Sequence, residues 1–552
     1  MKQKVLTVLM LAIPSFLAFG ILSRAAKTVQ SFNSNGFQMF GLKFDFGVYG
    51  YIIMTSFVCT FYALGTLWII YKCYKFYTGC FGDLPPGPFA LPLLGNTLQI
   101  DTRHPARTMS KWKAEFGSVF TVRLPQPMIV LADHSVLKEA LITKGQSFTG
   151  RPTGYVWSMF THNDQNGDGI ILCQGERWEQ LREFSHKMFR SAMGEKLMES
   201  KVLVQTQNMI EYMDGLIGDH DHITVDMELI ISQVVGNIIQ DFVLGHYFAI
   251  GDRRFFEFKS LIDQILADVA SKPVQLVNAY PILAKLPIPA IKRYRENGFR
   301  LQRYFLDAIE THKKTLNLDG ESVDFIESYL REMVTTKKGN AHFNELSLAL
   351  AAGDLWTGGM ETTVTTLRWA IVYMLHNPHV QERCYQEVEK VFGSEVPTYS
   401  AHKQAPYVEA TISETLRLAN VLPWAIPHRT TTDVKIQNHF IPAGSVILPQ
   451  YGTLQFDPTV FPEPEKFNPD RFIQDGCYVK KAELNPFGMG KRSCLGEKLA
   501  RYELFLILTT LLQNYEFIKE EGKGLPSCDR SEGMTNVPKH YNVIVRKRVH
   551  KV

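Results

Sequence analysis

One cysteine stands in a glycine-rich loop that leads straight into an apolar run, and this arrangement constrains the fold more than any other feature. The segment 487–496 reads FGMGKRSCLG, with Cys494 near its end, and the apolar run covers residues 499–512. We expect the run to be a helix. Cys494 would then lie at a helix N-terminus, where free N–H groups and the helix dipole stabilise a thiolate.

The residues around Cys494 favour a metal-binding role for the thiol. Gly490 and Gly496 allow a tight bend and let a flat macrocycle approach the backbone. Arg492 can pair with a carboxylate of such a macrocycle, and Phe487 can keep water from the sulfur. An isolated cysteine is more often a small buried hydrophobe, so the prediction depends on this whole set of neighbours.

A second motif, Gly358-Gly359-Met360-Glu361-Thr362-Thr363, lies inside a helical pattern from about residue 345 to 375. Asn377-Pro378 ends that pattern, because the residue before a proline disfavours helix. The Glu361 acid beside the Thr362 hydroxyl could relay protons in an apolar pocket. The alternative is a threonine whose hydroxyl bonds back to its own helical turn.

Two further pairs share a helix face. Glu414 and Arg417 are three residues apart, and Trp178 and Arg182 are four apart. Exposed, the first pair would contribute little to stability. In the second pair, both side chains are hydrogen-bond donors.

These motifs together resemble the cytochrome P450 family. Segment 487–496 matches its signature Phe-x-x-Gly-x-Arg-x-Cys-x-Gly at every fixed position, and the resemblance covers residues 80–545. It implies a haem b whose iron takes the Cys494 thiolate as axial ligand. The implied haem contacts are Phe487, Gly488, Arg492, Gly496, Trp178, Arg182 and His428. Glu361 and Thr362 are the implied proton relay, and Glu414, Arg417 and Arg471 an implied buried structural set.

The resemblance implies a monooxygenase that inserts one oxygen atom from O₂ into a lipophilic substrate, either a sterol, a fatty acid or a xenobiotic. Electrons would come from NADPH through NADPH-cytochrome P450 reductase, with cytochrome b5 as a second donor, because the chain shows no nicotinamide or flavin fingerprint. Lys491 and Lys498 are either contacts for an acidic partner or plain solvated charges. Residues 155–170 should cover the pocket, and residues 273–291 should face the membrane.

Two alternatives stay open from the residues. A haem-thiolate isomerase or dehydratase needs no oxygen activation, and family branches of that kind lose the acid–alcohol pair that is intact here at Glu361 and Thr362. A non-enzymatic haem sensor would need the thiolate but neither the relay nor a reductase.

The N-terminal part predicts a membrane protein. Residues 48–71 carry no charge and are long enough to span a bilayer core of about 30 Å, so we predict a transmembrane anchor there. Residues 5–23 fit either a signal peptide or a first membrane helix, with a connecting loop up to residue 47. A proline-rich connector at 72–100 would lead to the catalytic domain at 101–552. The resemblance to animal microsomal members, around their second family, places that domain on the cytosolic side of the endoplasmic reticulum.

Composition and periodicity predict a mainly α fold with a minor β part. Hairpins are expected at residues 117–132 and, around the turn 442–444, at 434–449. A net charge of +4 without a basic block argues against nucleic-acid binding. The eight scattered cysteines include no Cys-x-x-Cys pair, which argues against a zinc ribbon, and their low density in 552 residues argues against a disulfide scaffold.

Overall fold

A computed structural model describes most of the chain beyond residue 83. The described residues are 84–548, except 92–93, 125, 155, 157–158, 160–166, 191, 320–321, 336–341 and 532, together with 37–39, 42–44, 56–57, 60–61 and 63–68. Met1–Asp83 and Leu84–Val552 form two separate compact units.

The N-terminal unit contains one short antiparallel pair, β1 (Phe37–Met39) with β2 (Leu42–Phe44). Its described residues between 56 and 68 are helical, and their large apolar side chains, among them Phe57, Phe61 and Leu64, are exposed. The predicted segment 5–23 and most of the predicted anchor 48–71 lie outside the described residues.

The larger unit is predominantly helical, as predicted from the sequence. Its helices are α1 (Pro105–Phe116), α2 (His134–Lys138), α3 (Gly175–Arg190), α4 (Ala192–Ile217), α5 (Met227–Leu244), α6 (Arg253–Ala270), α7 (Lys272–Ala279), α8 (Pro289–Thr315), α9 (Phe325–Thr335), α10 (Glu345–His376), α11 (Pro378–Phe392), α12 (Pro406–Ala419), α13 (Gly452–Gln455) and α14 (Glu497–Asn514).

Its strands are few and short. They are β3 (Val119–Arg123), β4 (Pro127–Leu131), β5 (His222–Val225), β6 (His428–Arg429), β7 (Val434–Ile436), β8 (His439–Ile441), β9 (Val446–Pro449), β10 (Ile473–Gln474), β11 (Cys477–Tyr478), β12 (Tyr515–Lys519) and β13 (Val543–Lys547). One four-stranded sheet has the order β3-β4-β9-β6, and a three-stranded sheet has the order β12-β13-β5. The remaining strands form the two-stranded pairs β7-β8 and β10-β11.

Helix α10 is the central element of the main hydrophobic core. It packs against α5 most extensively and also against α8, α12 and α14. Asn344 caps its first turn by accepting a hydrogen bond from the Ser347 N–H, and the helix ends before Asn377-Pro378 as the sequence predicts. A Cβ at Gly359 would stand 2.5 Å from Ile239 of α5, so this glycine lets the two helices approach closely.

Helix α5 is apolar on average over its whole length. Among the described residues, α5 is long and apolar enough to cross a membrane, but 83% of it is buried inside the protein. Burial of this kind is what a central core helix shows, because it is hydrophobic on all sides.

The second predicted hairpin has a different pairing. Strand β7 pairs with β8 through a turn at Gln437, whose φ of 49° is left-handed. The segment beyond the predicted turn, β9, instead lies parallel to β4, with Ile447 opposite Ile129. The expected hairpin at 117–132 is confirmed as β3-β4.

The proline-rich connector is part of the folded body from Leu84 onward. The Thr121 N–H donates to the Pro86 carbonyl at 2.9 Å, and the Thr121 hydroxyl donates to the Pro85 carbonyl at 2.7 Å. The connector therefore covers the free edge of β3, a sheet edge that otherwise exposes unpaired backbone groups. This pairing makes the chain from Leu84 onward part of the larger compact unit, and the catalytic-domain boundary at residue 101 stays a prediction.

We predict that Gly87→Ala destabilises the larger unit. A Cβ at Gly87 would stand 1.9 Å from the Thr121 carbonyl oxygen, so the connector must shift away from β3. Overpacking of this kind costs about 1–3 kcal/mol of unfolding free energy, measurable by denaturant titration of the purified protein. Gly524→Ala is the matched control because no atom lies within 4 Å of its Cβ position, and equal stability of both variants would contradict the prediction.

Candidate functional site

The cysteine loop is closed by its own backbone. The Cys494 N–H donates to the Phe487 carbonyl at 2.8 Å, and Gly496 caps the N-terminus of α14. The Phe487 ring lies under the Arg501 guanidinium, 5.1 Å from its centroid. Cys494 therefore lies directly before a helix start, as the sequence predicts.

Two glycines of this loop have left-handed backbones, and a third has not. Gly488 has a φ of 76° and Gly490 has a φ of 74°, values that favour glycine. A Cβ at Gly490 would stand 1.8 Å from the Leu141 carbonyl oxygen. Gly496 lies in the turn before α14 with a φ of −88°, a conformation that does not require glycine. No protein atom lies within 4 Å of a Cβ at Gly496, and the residue lines a cavity.

The Cys494 sulfur lies deep in the protein but is exposed to an internal cavity. Burial raises the pKa of the Cys494 thiol, and the backbone N–H groups of Gly496 and Glu497 lower it by hydrogen bonding. These two N–H groups stabilise a thiolate, and a metal cation on the sulfur would offset the cost of burying its charge.

This cavity runs between α10 and α14 and encloses about 1730 Å³ of space that protein atoms do not fill, part of it open to solvent. Cys494, Leu495 and Leu499 line it from the loop and the start of α14. Gly358, Gly359 and Thr362 of α10 line it as well, and so do Phe487, Gly488, Arg182 and His428. The cavity therefore brings together most of the residues that the sequence predicts around a haem.

Buried guanidinium groups surround one part of the cavity. Arg492 donates to the backbone carbonyls of Thr149 (2.8 Å) and Cys173 (2.6 Å). Arg151 donates to those of Ile171 (3.0 Å) and Pro427 (2.8 Å).

The Arg182 guanidinium donates to the Ser493 carbonyl at 2.5 Å. In the described part of the chain, neither Arg151 nor Arg492 has a carboxylate within ion-pair distance.

The cationic cluster perturbs its own members. Burial, followed by the charge of Arg151, lowers the pKa of Arg492 to about 8. Burial, followed by the charge of Arg182, lowers the pKa of Arg151 to about 10. Such a cluster favours the binding of an anionic group in the cavity.

Trp178 and His428 complete this wall. The Arg492 guanidinium lies 3.9 Å from the Trp178 ring centroid, and the buried Trp178 indole N–H has no hydrogen-bond partner among the described residues. The His428 Nδ1–H donates to the Phe148 carbonyl at 2.8 Å. Burial, followed by the charge of Arg151, lowers the pKa of His428 to about 3, so the imidazole is neutral as it stands.

On α10, the two predicted relay residues point to different partners. The Thr362 hydroxyl donates to the Gly358 carbonyl at 2.8 Å. Thr362 also lines the cavity, so the back-bonding alternative holds for its ground-state geometry. Glu361 accepts a hydrogen bond from Thr535 at 3.1 Å. Burial raises the pKa of Glu361, mainly by disfavouring its charged form.

Glu414, Arg417 and Arg471 form a buried ion cluster. Glu414 makes two hydrogen bonds to Arg417, at 2.7 and 2.9 Å, and accepts one from Arg471 at 3.2 Å. Glu414 and Arg417 are fully buried. Arg417 also donates to the Gln455 carbonyl at 2.7 Å, and the Asn468 N–H donates to Glu414 at 2.9 Å. The cluster thus joins α12 to the segments that lead to the cysteine loop.

Three cavity residues escaped the sequence analysis. Arg151 lies in no motif, although the sequence Gly150-Arg151-Pro152 marks a turn. Asp354 accepts hydrogen bonds from the N–H groups of Ile170 and Ile171, and burial raises its pKa to about 6. Glu503 is fully buried, accepts a hydrogen bond from Thr363 at 3.1 Å, and burial raises its pKa to about 8. An acid inside an apolar helix, as Glu503 is, was the available signal.

The predicted covering loop 155–170 lies only partly within the described residues. Its end is held against α10 by Asp354, and Ile170 lines the cavity.

A cysteine that faces a cavity just before a helix, with a cluster of cationic donors along the cavity wall, is the arrangement expected of a haem-thiolate protein. The family described as cytochrome P450 matches residues 85–545, and the chain belongs to it.

Named relatives agree with that assignment. A Caenorhabditis elegans protein called 3-ketosteroid oxygenase is 36% identical over 474 residues, covering 83% of this chain and 79% of the relative. Mouse cytochrome P450 2F2 is 34% identical, with 85% and 94% covered, and human cytochrome P450 2J2 is 34% identical, with 79% and 86% covered. The chain is therefore a cytochrome P450 monooxygenase, and membership implies a haem with cysteine thiolate ligation.

We predict that Glu414→Gln strongly destabilises the protein. The substitution leaves two buried guanidinium groups without a charged partner, a change that costs about 3–5 kcal/mol of unfolding free energy. Thermal and denaturant unfolding with haem absorbance as the signal measures it. Glu257→Gln is the control, because its pair with Arg253 is exposed and contributes less than about 1 kcal/mol. Equal effects of the two substitutions would show that the cluster is dispensable.

Proposed function

We propose that this protein is a membrane-bound monooxygenase of a steroid-like substrate, with Cys494 as the axial haem ligand. The observation that carries the proposal is the single cavity lined by the Cys494 loop, the α10 glycines and Thr362.

The residues present fit a haem. Arg492, Arg151 and Arg182 supply charge-assisted donors for two propionates, and the Trp178 N–H, which has no partner among the described residues, supplies another. His428 can donate from Nε2 only when it is protonated, because its Nδ1–H is already bonded to Phe148; a neighbouring propionate raises its pKa and favours that form. Gly488 and Gly496 leave room beside the sulfur, and Phe487 shields it.

When bound, haem supplies the iron at which dioxygen is reduced and one oxygen atom is transferred to the substrate. Reduction of dioxygen consumes protons. In our proposal the Thr362 hydroxyl carries them at the cavity wall, giving up its bond to Gly358, and the Glu361 carboxyl exchanges them with solvent. Gly358 and Gly359 keep this part of α10 thin.

The substrate part of the cavity is apolar. Ile171, Ile239, Leu355, Val421, Leu422 and Ile426 line it, so it suits a lipophilic molecule. Among sterols, fatty acids and xenobiotics, we favour a steroid because the relative named 3-ketosteroid oxygenase is 36% identical.

Electrons are proposed to come from NADPH through NADPH-cytochrome P450 reductase, with cytochrome b5 as a second donor. Lys491 is exposed within the cysteine loop, where it donates a hydrogen bond to Gln146, and Lys498 follows on α14. An acidic partner surface would complement both. We place the protein at the endoplasmic reticulum membrane with its catalytic domain in the cytosol. The exposed side chains of Leu276, Ile282 and Leu286 support membrane contact.

Cys494→Ala should abolish the thiolate-type absorption of the reduced carbon monoxide complex, because the sulfur ligand is lost. Cys384→Ala is the matched control and should keep this absorption, because the buried Cys384 thiol contacts Thr411 and Cys384 does not line the cavity. A thiolate-type spectrum in the Cys494→Ala protein would show that another residue binds the iron.

Thr362→Ala should lower the product formed per NADPH and raise peroxide release, since the proposed relay loses the Thr362 hydroxyl. General acid–base groups contribute about 100-fold or more, so the loss of coupling should be large. The reconstituted system with reductase, NADPH and substrate gives both yields. Unaltered product per NADPH would rule out Thr362 as a relay group.

Incubation with reductase, NADPH, ¹⁸O₂ and a set of 3-ketosteroids should give a product that carries one labelled oxygen. Mass spectrometry identifies it, with a fatty-acid set and a xenobiotic set run in parallel. Labelled product only from fatty acids or xenobiotics would overturn the steroid assignment and leave the monooxygenase reaction intact.

A further inference from the structure

The Glu361 carboxylate is held by a residue far from it in the sequence. Thr535 donates its hydroxyl to Glu361 Oε1 at 3.1 Å, across 174 residues of chain. In the part of the chain that the structure describes, no lysine or arginine lies within ion-pair distance of Glu361. The orientation of this acid therefore depends on a neutral hydroxyl.

The turn that carries Thr535 is fixed on both sides. The Trp369 indole N–H, on α10, donates to the Asn536 carbonyl at 2.7 Å. The Asn536 N–H donates to the Val421 carbonyl at 2.9 Å, and its side-chain amide donates to the Asn420 carbonyl at 2.7 Å. These bonds clamp the turn between α10 and the segment after α12, so the Thr535 hydroxyl has a defined position.

The charges near Glu361 are already balanced among themselves. Lys259 pairs with Asp263 at 2.7 Å and with Glu228 at 3.8 Å, and Arg368 pairs with Glu228 at 2.8 Å. Burial and the charge of Asp263 favour a neutral Glu361, whereas Lys259 and the Thr535 hydroxyl favour the carboxylate. The Thr535 hydroxyl therefore opposes the rise in the pKa of Glu361 that burial causes.

A hydroxyl differs from a cation in what it can do for such an acid. It can donate to the carboxylate and accept from the neutral carboxylic acid, so the bond can survive a change of protonation state. A lysine or arginine would fix the acid in its charged form.

We infer that Thr535 is a positioning residue for proton delivery, which fixes the orientation of the Glu361 side chain in both protonation states. This inference rests on the relay proposed above for Glu361 and Thr362. Thr535 is not among the residues that line the cavity, so in this role it acts through Glu361.

The test compares Thr535→Val, which keeps the shape, with Thr535→Ser, which keeps the hydroxyl. The full chain is reconstituted with reductase, and product per NADPH, peroxide and the pH profile of product yield are measured. Thr535→Val should lower the coupling about 2- to 10-fold, the effect of one hydrogen bond, with an unchanged carbon monoxide spectrum. Thr535→Ser should restore most of the coupling.

The pH profile separates positioning from a general structural defect. Without the hydroxyl donor the carboxylate is less stabilised, so the pKa of Glu361 rises and the limb controlled by this acid moves to higher pH. In a Glu361→Gln background, Thr535→Val should cause no further loss, since its partner is already removed.

Thr510→Val is the matched control. Its buried hydroxyl has no hydrogen-bond partner among the described residues, and the substitution should leave coupling unchanged. If Thr535→Val loses the carbon monoxide spectrum, Thr535→Ala against Thr535→Ser gives the same comparison with smaller side chains.

The outcomes are distinct. Wild-type coupling and pH profile in Thr535→Val, together with uncoupling in Glu361→Gln, would overturn the role of Thr535 and keep the relay. Full coupling in Glu361→Gln would overturn the relay and this inference together.

Discussion

The cavity wall contains buried positive charge that no carboxylate among the described residues neutralises. Arg151 and Arg492 are almost fully buried. Among the described residues, both guanidinium groups donate hydrogen bonds to backbone carbonyls, which bear no net charge. Burying a guanidinium without an anion is unfavourable, which is why the pKa values of both are lowered. An anionic cofactor would remove this cost, so cofactor binding and stability of the fold should be coupled in this protein.

In a second buried set of charges, the protein supplies the anion itself. Glu414 satisfies Arg417 and Arg471, and their remaining N–H groups reach the carbonyls of Gln455, Pro464 and Glu463. The cysteine loop is held from other directions. Leu141 packs on Gly490, and the Tyr451 hydroxyl accepts the Met489 N–H at 3.1 Å. The position of Cys494 is thus over-determined by contacts that are far apart in the sequence.

Helix α10 forms part of the cavity wall and carries both residues of the proposed proton relay. The helix is thin at Gly358 and Gly359, where α5 also approaches it, and Thr362 faces the cavity from the next turn. Glu361 accepts a hydrogen bond from Thr535 and is not among the residues that line the cavity, whereas its neighbour Thr362 is. A proton path of this form needs both side chains to be held, and the turn at Thr535 supplies that constraint for the acid.

The sequence by itself determined the elements whose signals are local. The apolar run after Cys494 predicted α14, the pattern ending at Asn377-Pro378 predicted α10 nearly to the residue, and alternation predicted the β3-β4 hairpin. Helix periodicity, caps and proline depend on neighbours within a few residues, so they can be read without a fold. The family resemblance named Arg182, His428 and Arg492 as candidate haem contacts; all three line one cavity, and their contact with haem stays a prediction.

Only the tertiary structure decided which distant groups meet. The parallel pairing of β9 with β4, the arrival of Arg151 at the cavity, the hold of Asp354 on Ile170 and the bond from Thr535 to Glu361 all join segments separated by long stretches of chain. Neither spacing nor residue type records such contacts, because they depend on how helices and turns pack in three dimensions. The connector shows the same limit: its prolines predicted an extended chain, but its bonds to Thr121 depend on where β3 lies.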